Sequence, residues 1–221
     1  MKNTVKSCLF DLDGTLLDTI PALHYTVNLT LADLGLPSLD RRFIPFFAGD
    51  GVTKLLERTL VQVTGEAATD LLTRAQERYL AHFRTTCMHE VKPYPTMPEL
   101  LRELKARGIT LAVVTNKPQP MADMNIHGVF GDGLFDTIVG ARNGLPRKPA
   151  PDSALLAAHM LKALPGECLY VGDTNTDMRT GGAAGMQLCG ALWGFRGREE
   201  LEPFRPDFLA ENPIDILEYL Q

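Results

Sequence analysis

Short apolar runs recur along the chain, and each of them ends at a cluster of polar or turn-forming residues. Such runs are typical of strands that are buried on both faces of a parallel sheet. Segments with apolar positions at helical spacing lie between the runs, so strands and helices alternate. This alternation predicts right-handed βαβ units and an α/β fold with a parallel sheet. The predicted strands are 5–10, 109–114, 135–139, 168–171 and 188–192, and the predicted helices are 97–107, 119–127, 152–163 and 176–184.

The segment from residue 21 to about residue 89 has a different pattern. Its apolar residues recur at helical spacing, and no run in it has the character of a strand. We therefore expect an all-helical insert, and the proline-rich stretch that follows it is typical of a linker. The predicted domains are a core of residues 1–16 and 91–221 and a helical insert of residues 17–90.

The predicted helix at 97–107 has signals at both of its ends. Thr96 precedes the helix and Glu99 follows three residues later, which is the pattern of a capping box. Gly108 is a natural residue for the end of the helix. We therefore expect the Thr96 side chain to cap this helix.

Composition and charge exclude several classes of function. Apolar residues make up 45% of the 221 residues and the formal net charge is −5, which is typical of a globular protein and makes a nucleic-acid partner unlikely on electrostatic grounds. No stretch approaches the length of a membrane span, and the first residues do not resemble a signal peptide. The four cysteines have no zinc-site spacing and are typical of a reducing compartment. We therefore expect a cytoplasmic protein without a nucleic-acid or membrane partner.

Polar residues follow four of the predicted strands. Because the carboxyl ends of parallel strands lie at one edge of a sheet, where ligands bind, these residues should converge in space. The residues are Asp11, Asp13 and Gly14 after the first strand, Thr115, Asn116 and Lys117 after the second, Lys148 after the third, and Asp173 and Asp177 after the fourth.

Carboxylates in one cleft repel one another unless a cation lies between them, and oxygen ligands suit Mg²⁺. Thr115, Lys148 and backbone N–H groups near Gly14 could then bind an oxyanion, which is the arrangement that phosphoryl transfer requires. Asp11 is the best placed nucleophile, because it comes first after its strand. Asp13 could protonate the leaving oxygen and then deprotonate the attacking water.

The segments DLDGTLLDT, VTNKP, RKPAPD and GDTNTD, in this order, resemble the four motifs of the haloacid dehalogenase superfamily. The resemblance implies a Rossmann-like core with a C1 helical cap, which would be the insert. It implies Asp11 as nucleophile, Asp13 as acid and base, and Thr115 and Lys148 as ligands of the phosphoryl group. It also implies Mg²⁺ bound by Asp11, the Asp13 carbonyl and Asp173, with support from Asp177.

Within the superfamily, the TNKP segment and the WGF segment at residues 193–195 look most like phosphoglycolate phosphatases. The function predicted from the resemblance is therefore a Mg²⁺-dependent phosphatase that hydrolyses a small phosphomonoester, similar to phosphoglycolate, through an aspartyl-phosphate. The partner would be a small phosphorylated metabolite. The sequence makes no prediction about the oligomeric state.

Three other functions fit the same family. A phosphosugar mutase similar to β-phosphoglucomutase would use both aspartates, although mutases usually have a serine-containing segment where this chain has TNK. A dehalogenase would not need Asp13 or a metal. A protein without catalytic activity could share the fold, since a fold does not determine a function.

Several of the residues also have simpler interpretations. Asp173 and Asp177 could act as helix caps, and Asn116 could be a turn former rather than an orienting group. Gly14 could serve an ordinary turn as well as the approach of an anion to the backbone. Lys117 is predicted to be a surface charge rather than a ligand. Arg196 is predicted to be a surface residue, with contact to a substrate carboxylate as the alternative.

Overall fold

A computed structural model describes residues 4–220 and contains a six-stranded sheet and a separate two-stranded pair. In chain order, the strands are β1 (Ser7–Phe10), β2 (Leu17–Asp18), β3 (Lys92–Pro93), β4 (Thr110–Pro118), β5 (Thr137–Ala141), β6 (Cys168–Gly172), β7 (Gln187–Ala191) and β8 (Phe208–Ala210).

Helices connect the strands and form the insert. In chain order, the α-helices are α1 (Ile20–Asp33), α2 (Ile44–Phe47), α3 (Val52–Thr64), α4 (Thr69–Thr86), α5 (Met97–Ala106), α6 (Gln119–Phe130), α7 (Asp152–Met160), α8 (Asn175–Ala183), α9 (Arg198–Leu201) and α10 (Ile216–Tyr219). Short 3₁₀ segments occur at Arg41–Phe43, Pro165–Glu167, Glu202–Phe204 and Pro213–Asp215.

The six-stranded sheet has the order β5–β4–β1–β6–β7–β8, and all its neighbouring strands pair in parallel. β1 and β6 are buried along their whole length, because helices cover both faces of the sheet. On one face, Leu9, Val114 and Tyr170 belong to one apolar cluster with residues of α7 and α8. The predicted α/β fold with a parallel sheet is confirmed.

Two strand features were missed by the sequence patterns. β8 adds a sixth strand at the edge of the sheet, but with three residues it is too short for a recognisable period. The proline-rich stretch predicted as a linker contains β3, which pairs antiparallel with β2 through Leu17 opposite Pro93 and Asp18 opposite Lys92.

The predicted capping box at α5 is wrong. Thr96 is the N-cap residue, but its side chain makes no capping hydrogen bond, and its φ of 63° lies in the left-handed region. An N-cap side chain reaches the first turn from an extended backbone, so this conformation does not favour the bond. The start of the helix itself was predicted at the observed residue.

The chain divides into two compact units: one contains the residues up to Asp18 and those from Lys92 onward, and the other is Thr19–Val91. The second unit contains α1 to α4 and no strand among its described residues. Its interior includes Val27 and Leu60 together with Tyr79 and Phe83 of α4, whose ring centroids are 5.1 Å apart. Among residues 4–220, no helix combines the length and the apolar character that crossing a bilayer requires.

Candidate active site

The strand register places the residue that follows β1 between two neighbouring strands, β4 and β6. Phe10, the last residue of β1, pairs with Val113 of β4 on one side and with Val171 of β6 on the other. Asp11 therefore leaves the sheet between β4 and β6, and its backbone N–H donates to the Val171 carbonyl at 2.9 Å. The residues just beyond Phe10, Val113 and Val171 are thus neighbours in space, as the sequence predicts. The prediction that Thr115, Asn116 and Lys117 follow the second strand is wrong, because β4 continues to Pro118.

Three carboxylates form a buried cluster at this edge of the sheet. One oxygen from each of Asp11, Asp173 and Asp177 lies within 4.8 Å of the other two. Burial and the neighbouring Asp177 raise the pKa of Asp11 to about 7, although Lys148 acts in the opposite direction. Burial, followed by the charges of Asp177 and Asp11, also raises the pKa of Asp173 well above its ordinary value. The three groups are therefore difficult to ionise together without a further positive charge.

Lys148 lies against this cluster with its side chain almost fully buried. Its ammonium group contacts Asp11 Oδ1 at 2.9 Å and Asp177 Oδ1 at 2.7 Å, and it donates to the Val114 carbonyl at 3.1 Å. Burial acts to lower the pKa of Lys148, but the Asp11 and Asp177 carboxylates outweigh it and hold that pKa above its ordinary value. Lys148 therefore stays charged and neutralises part of the cluster.

Asp173 is held by donors from two different segments. Thr15 Oγ1 donates to Asp173 Oδ1 at 2.8 Å, and the Phe195 backbone N–H donates to Oδ2 at 2.7 Å. Two glycines leave room for this carboxyl group: a Cβ atom on Gly14 would lie 2.3 Å from Oδ2, and one on Gly194 would lie 2.3 Å from the Asp173 Cβ atom. Gly14 also has a φ of 89°. The close approach explains the glycine more fully than an ordinary turn does.

Asp177 is a helix cap and also belongs to the carboxylate cluster. Its Oδ2 accepts from the backbone N–H of Thr174 at 3.0 Å and from Thr174 Oγ1 at 2.7 Å, which completes a capping box at the start of α8. Its Oδ1 accepts from Lys148. The capping bonds therefore fix the orientation of a carboxylate that also belongs to the cluster.

Thr115 and Asn116, both in the last part of β4, have different hydrogen-bond partners. Asn116 and Lys148 exchange two hydrogen bonds: Asn116 Nδ2 donates to the Lys148 carbonyl at 3.1 Å, and the Lys148 N–H donates to Asn116 Oδ1 at 3.0 Å. Asn116 is therefore an orienting group for the loop that carries Lys148. The buried Thr115 Oγ1 accepts from the Lys117 N–H at 3.2 Å.

The prediction that Lys117 is an exposed surface residue is wrong. Its side chain is only 2% exposed, and its ammonium group lies 2.7 Å from Asp13 Oδ1. The carboxyl group of Asp13 therefore faces Lys117 and is not one of the three clustered carboxylates. The sequence signal was present, because Lys117 lies two residues after Thr115 at the end of the same strand.

The prediction for Arg196 is also wrong, since its side chain is 12% exposed and pairs with Glu200 at 3.0 Å. Glu200 also accepts from the backbone and side-chain N–H groups of Asn175 at the start of α8. Trp193 Nε1 donates to the Thr15 carbonyl at 2.9 Å. The WGF segment and Arg196 therefore support the loops around Asp173.

The chemistry of the clustered groups fits a hard divalent cation. Mg²⁺ prefers oxygen ligands, and the cluster offers carboxylate oxygens from Asp11, Asp173 and Asp177. The raised pKa values of Asp11 and Asp173 reflect a surplus of negative charge that a cation would neutralise. The structure thus brings together the predicted metal-binding side chains of Asp11, Asp173 and Asp177, while the contact predicted for Asp13 involves its carbonyl.

Known proteins resemble the chain over nearly its whole length. A family model described as haloacid dehalogenase-like hydrolase matches residues 8–191. A phosphoglycolate phosphatase from Aquifex aeolicus (strain VF5) is 32% identical over 212 residues, which cover 96% of this chain and 95% of that protein. Another from Colwellia psychrerythraea (strain 34H / ATCC BAA-681) is 32% identical, with coverage of 95% and 94%. The crystal structure of a predicted phosphoglycolate phosphatase from Haemophilus somnus 129PT is 27% identical and has a TM-score of 0.91, with 99% of each chain covered.

These relatives agree with the sequence motifs. Phosphoglycolate phosphatases are phosphoric monoester hydrolases, so the prediction of an enzyme of this class is confirmed at the level of the class. The predicted Rossmann-like fold is confirmed by both the sheet and the structural similarity. The chain therefore belongs to the haloacid dehalogenase-like hydrolase family.

Proposed function

We propose that this protein is a Mg²⁺-dependent phosphatase that hydrolyses a small phosphomonoester through an aspartyl-phosphate on Asp11. The observation that carries the proposal is the buried cluster of Asp11, Asp173 and Asp177 beside Lys148. A nucleophilic carboxylate, an oxygen-rich metal site and a buried lysine are the groups that phosphoryl transfer requires.

In this proposal, Asp11 attacks the phosphorus atom in line with the leaving oxygen. Its Oδ1 lies beside Lys148, whose charge favours the ionised form that attacks. Mg²⁺ bound by Asp11, Asp173 and Asp177 would neutralise charge on the transferring group. Thr115, in the second half of β4, would donate its hydroxyl to a phosphoryl oxygen, and backbone N–H groups near Gly14 would donate to another.

Asp13 is the proposed general acid and base. It follows Asp11 by two residues and lies outside the carboxylate cluster, so it can serve the leaving group and not the metal through its side chain. It would protonate the leaving alcohol in the first step and deprotonate the water that hydrolyses the aspartyl-phosphate in the second.

The proposed substrate is 2-phosphoglycolate or a similarly small metabolite. The support is the shared name of relatives that are about a third identical over nearly all of their length. We also propose that the helical unit Thr19–Val91 is a cap that selects the substrate.

A panel of phosphate esters tests the proposal, with phosphate release measured in Mg²⁺ and in EDTA. We expect the fastest release from 2-phosphoglycolate or another small ester, and no turnover in EDTA. Formation of glucose 6-phosphate from β-glucose 1-phosphate would instead favour the mutase. Release of halide from a haloacid in EDTA would favour the dehalogenase, and no turnover of any compound would favour a protein without catalytic activity.

Replacing the nucleophile tests its assignment. Asp11→Asn keeps the shape of the side chain but removes the nucleophilic charge, so we expect turnover to fall by at least about 10³-fold. Asp132→Asn is the matched control, because the Asp132 side chain is 95% exposed. Full activity in Asp11→Asn would exclude Asp11 as the nucleophile.

A further inference from the structure

Lys117 is buried to an extent that needs an explanation. Its side chain is 2% exposed, whereas those of Lys6 and Lys54 are 64% and 54% exposed. Burying an ammonium group is costly unless a partner compensates for the lost hydration. Asp13 provides an acidic partner for Lys117 at 2.7 Å, and the Asp13 side chain is itself 16% exposed. A buried lysine thus contacts the more accessible of the aspartates at the site.

The last part of β4, which carries Lys117, pairs irregularly with β5. The register of β4 against β5 shifts between Val114 and Pro118. Such shifts redirect side chains and are common beside active sites. Within this segment Asn116 contacts the Lys148 loop, while Lys117 contacts Asp13.

We propose that Lys117 is a positioning residue for Asp13. An aspartate carboxyl group can rotate about two bonds, and an ion pair to one of its oxygens selects one orientation. Lys117 contacts Oδ1, so Oδ2 is the atom that gives a proton to the leaving oxygen and later takes one from water. This inference rests on the proposed function, since it assumes that Asp13 is the general acid and base.

A merely structural ion pair and a positioning ion pair differ in how they respond to the leaving group. An alkoxide is a strong base and needs a proton as it departs, whereas the acetate that leaves from acetyl phosphate is a weak base and does not. Loss of a positioned acid therefore slows the transfer from an alkyl ester far more than the transfer from acetyl phosphate. Loss of fold or of metal affinity would slow both transfers by the same factor.

The experiment compares kcat/KM for acetyl phosphate with kcat/KM for the alkyl ester that the wild type hydrolyses fastest. For each substrate, kcat/KM reports the steps up to departure of the leaving group. For Lys117→Met we expect a loss of about 100-fold with the alkyl ester and of less than about 5-fold with acetyl phosphate, since general acid catalysis contributes about 10²–10⁴-fold. Lys117→Arg keeps a charged donor and should recover to within about 10-fold of the wild type.

Lys6→Met is the matched control, because it removes a lysine that pairs with Glu167 on the surface of the same unit. It should leave both values of kcat/KM unchanged. Because the comparison is a ratio between two substrates, partial misfolding of a variant cancels out of the result. A second readout is the time course of acetate release from acetyl phosphate by Lys117→Met. Acetate leaves without help from Asp13, but hydrolysis of the aspartyl-phosphate needs Asp13 and should be slow in this variant. We therefore expect a burst of acetate followed by slower release.

Equal losses with both substrates, or no loss with either, would overturn the assignment of Lys117 while leaving the proposed function intact. A wild type that releases phosphate from neither substrate would instead contradict the proposed function itself.

Discussion

At the level of single residues, Gly14 shows how one missing side chain positions Asp173. Its φ of 89° is one reason for a glycine, and the 2.3 Å that would separate an added Cβ atom from Asp173 Oδ2 is a second, independent one. At other glycines with positive φ, such as Gly108, an added Cβ atom would have no neighbouring atom within 4 Å. The two requirements can therefore be separated by experiment.

Gly14→Ala and Gly108→Ala form a matched pair of variants. Gly108→Ala should lose roughly 1 kcal/mol of stability, because alanine is strained at positive φ, and Gly14→Ala should lose more, because its methyl group also clashes with a buried carboxylate. Gly14→Ala should in addition lose most of its turnover, since its methyl group displaces the Asp173 carboxylate. Thermal unfolding and phosphate release measure the two effects. Equal turnover in the two variants would show that the contact with Asp173 does not matter.

The sequence predicted the residues that converge on the site but not all of their neighbours. Asp11, Asp173 and Asp177 follow from strand ends and residue chemistry. The burial of Lys117 did not follow, because exposure depends on what packs around a side chain, and lysines are mostly exposed. The roles of these residues in catalysis stay predictions.

At the level of elements, α8 connects a local capping motif to the carboxylate cluster. Thr174 donates to Asp177 Oδ2 through its backbone and its hydroxyl, and both residues are buried. A helix cap usually affects only stability. Here the capped carboxylate is also a partner of Lys148, so cap and site are the same group.

Thr174→Val removes the capping hydroxyl and keeps the size of the side chain. We expect a loss of about 1 kcal/mol in stability and a fall of about tenfold in Mg²⁺ affinity, because Asp177 loses one of its fixed donors. Asp40→Ala is a suitable control, since Asp40 accepts from the Arg42 N–H at another helix start. Isothermal titration with Mg²⁺ would detect the difference, and unchanged affinity in Thr174→Val would contradict the link.

The elements that the sequence predicted well are those with a strong period or a strong apolar run. β1, β4 and β6 are such strands, and they were found near their observed positions. β8 has three residues at a sheet edge and was missed, because its strand identity comes from pairing with β7. The prediction that the Thr96 side chain caps α5 was wrong for a related reason, since a sequence motif specifies residue types and not the φ angle of the N-cap residue.

At the level of the whole molecule, the carboxylate cluster connects pH, metal and stability. The pKa of Asp11 is raised to about 7 by burial and by Asp177, so in the metal-free protein its folded form favours the proton. A carboxyl group with a raised folded pKa contributes stability below its unfolded pKa, and this contribution is lost as pH rises through about 7. The metal-free enzyme should therefore become less stable between pH 5 and pH 8.

Thermal unfolding in EDTA tests this prediction. One pKa unit corresponds to about 1.4 kcal/mol, and 1 kcal/mol moves the Tm of a chain of this size by about 2–4 °C. We therefore expect the Tm of the wild type to fall by about 5–10 °C more than that of Asp11→Asn across this range. Saturating Mg²⁺ should remove most of the difference, because a bound cation favours the ionised carboxylate. Identical pH profiles for the two proteins would contradict the assigned cause.

The position of β1 in the sheet has a consequence for the order in which the protein forms. β1 precedes the helical unit in the chain, but its two neighbours, β4 and β6, both follow that unit. During synthesis, the strand that precedes Asp11 therefore stays unpaired until β4 has been made, about 100 residues later. The helical unit, by contrast, has its partners nearby in sequence and can assemble during that interval.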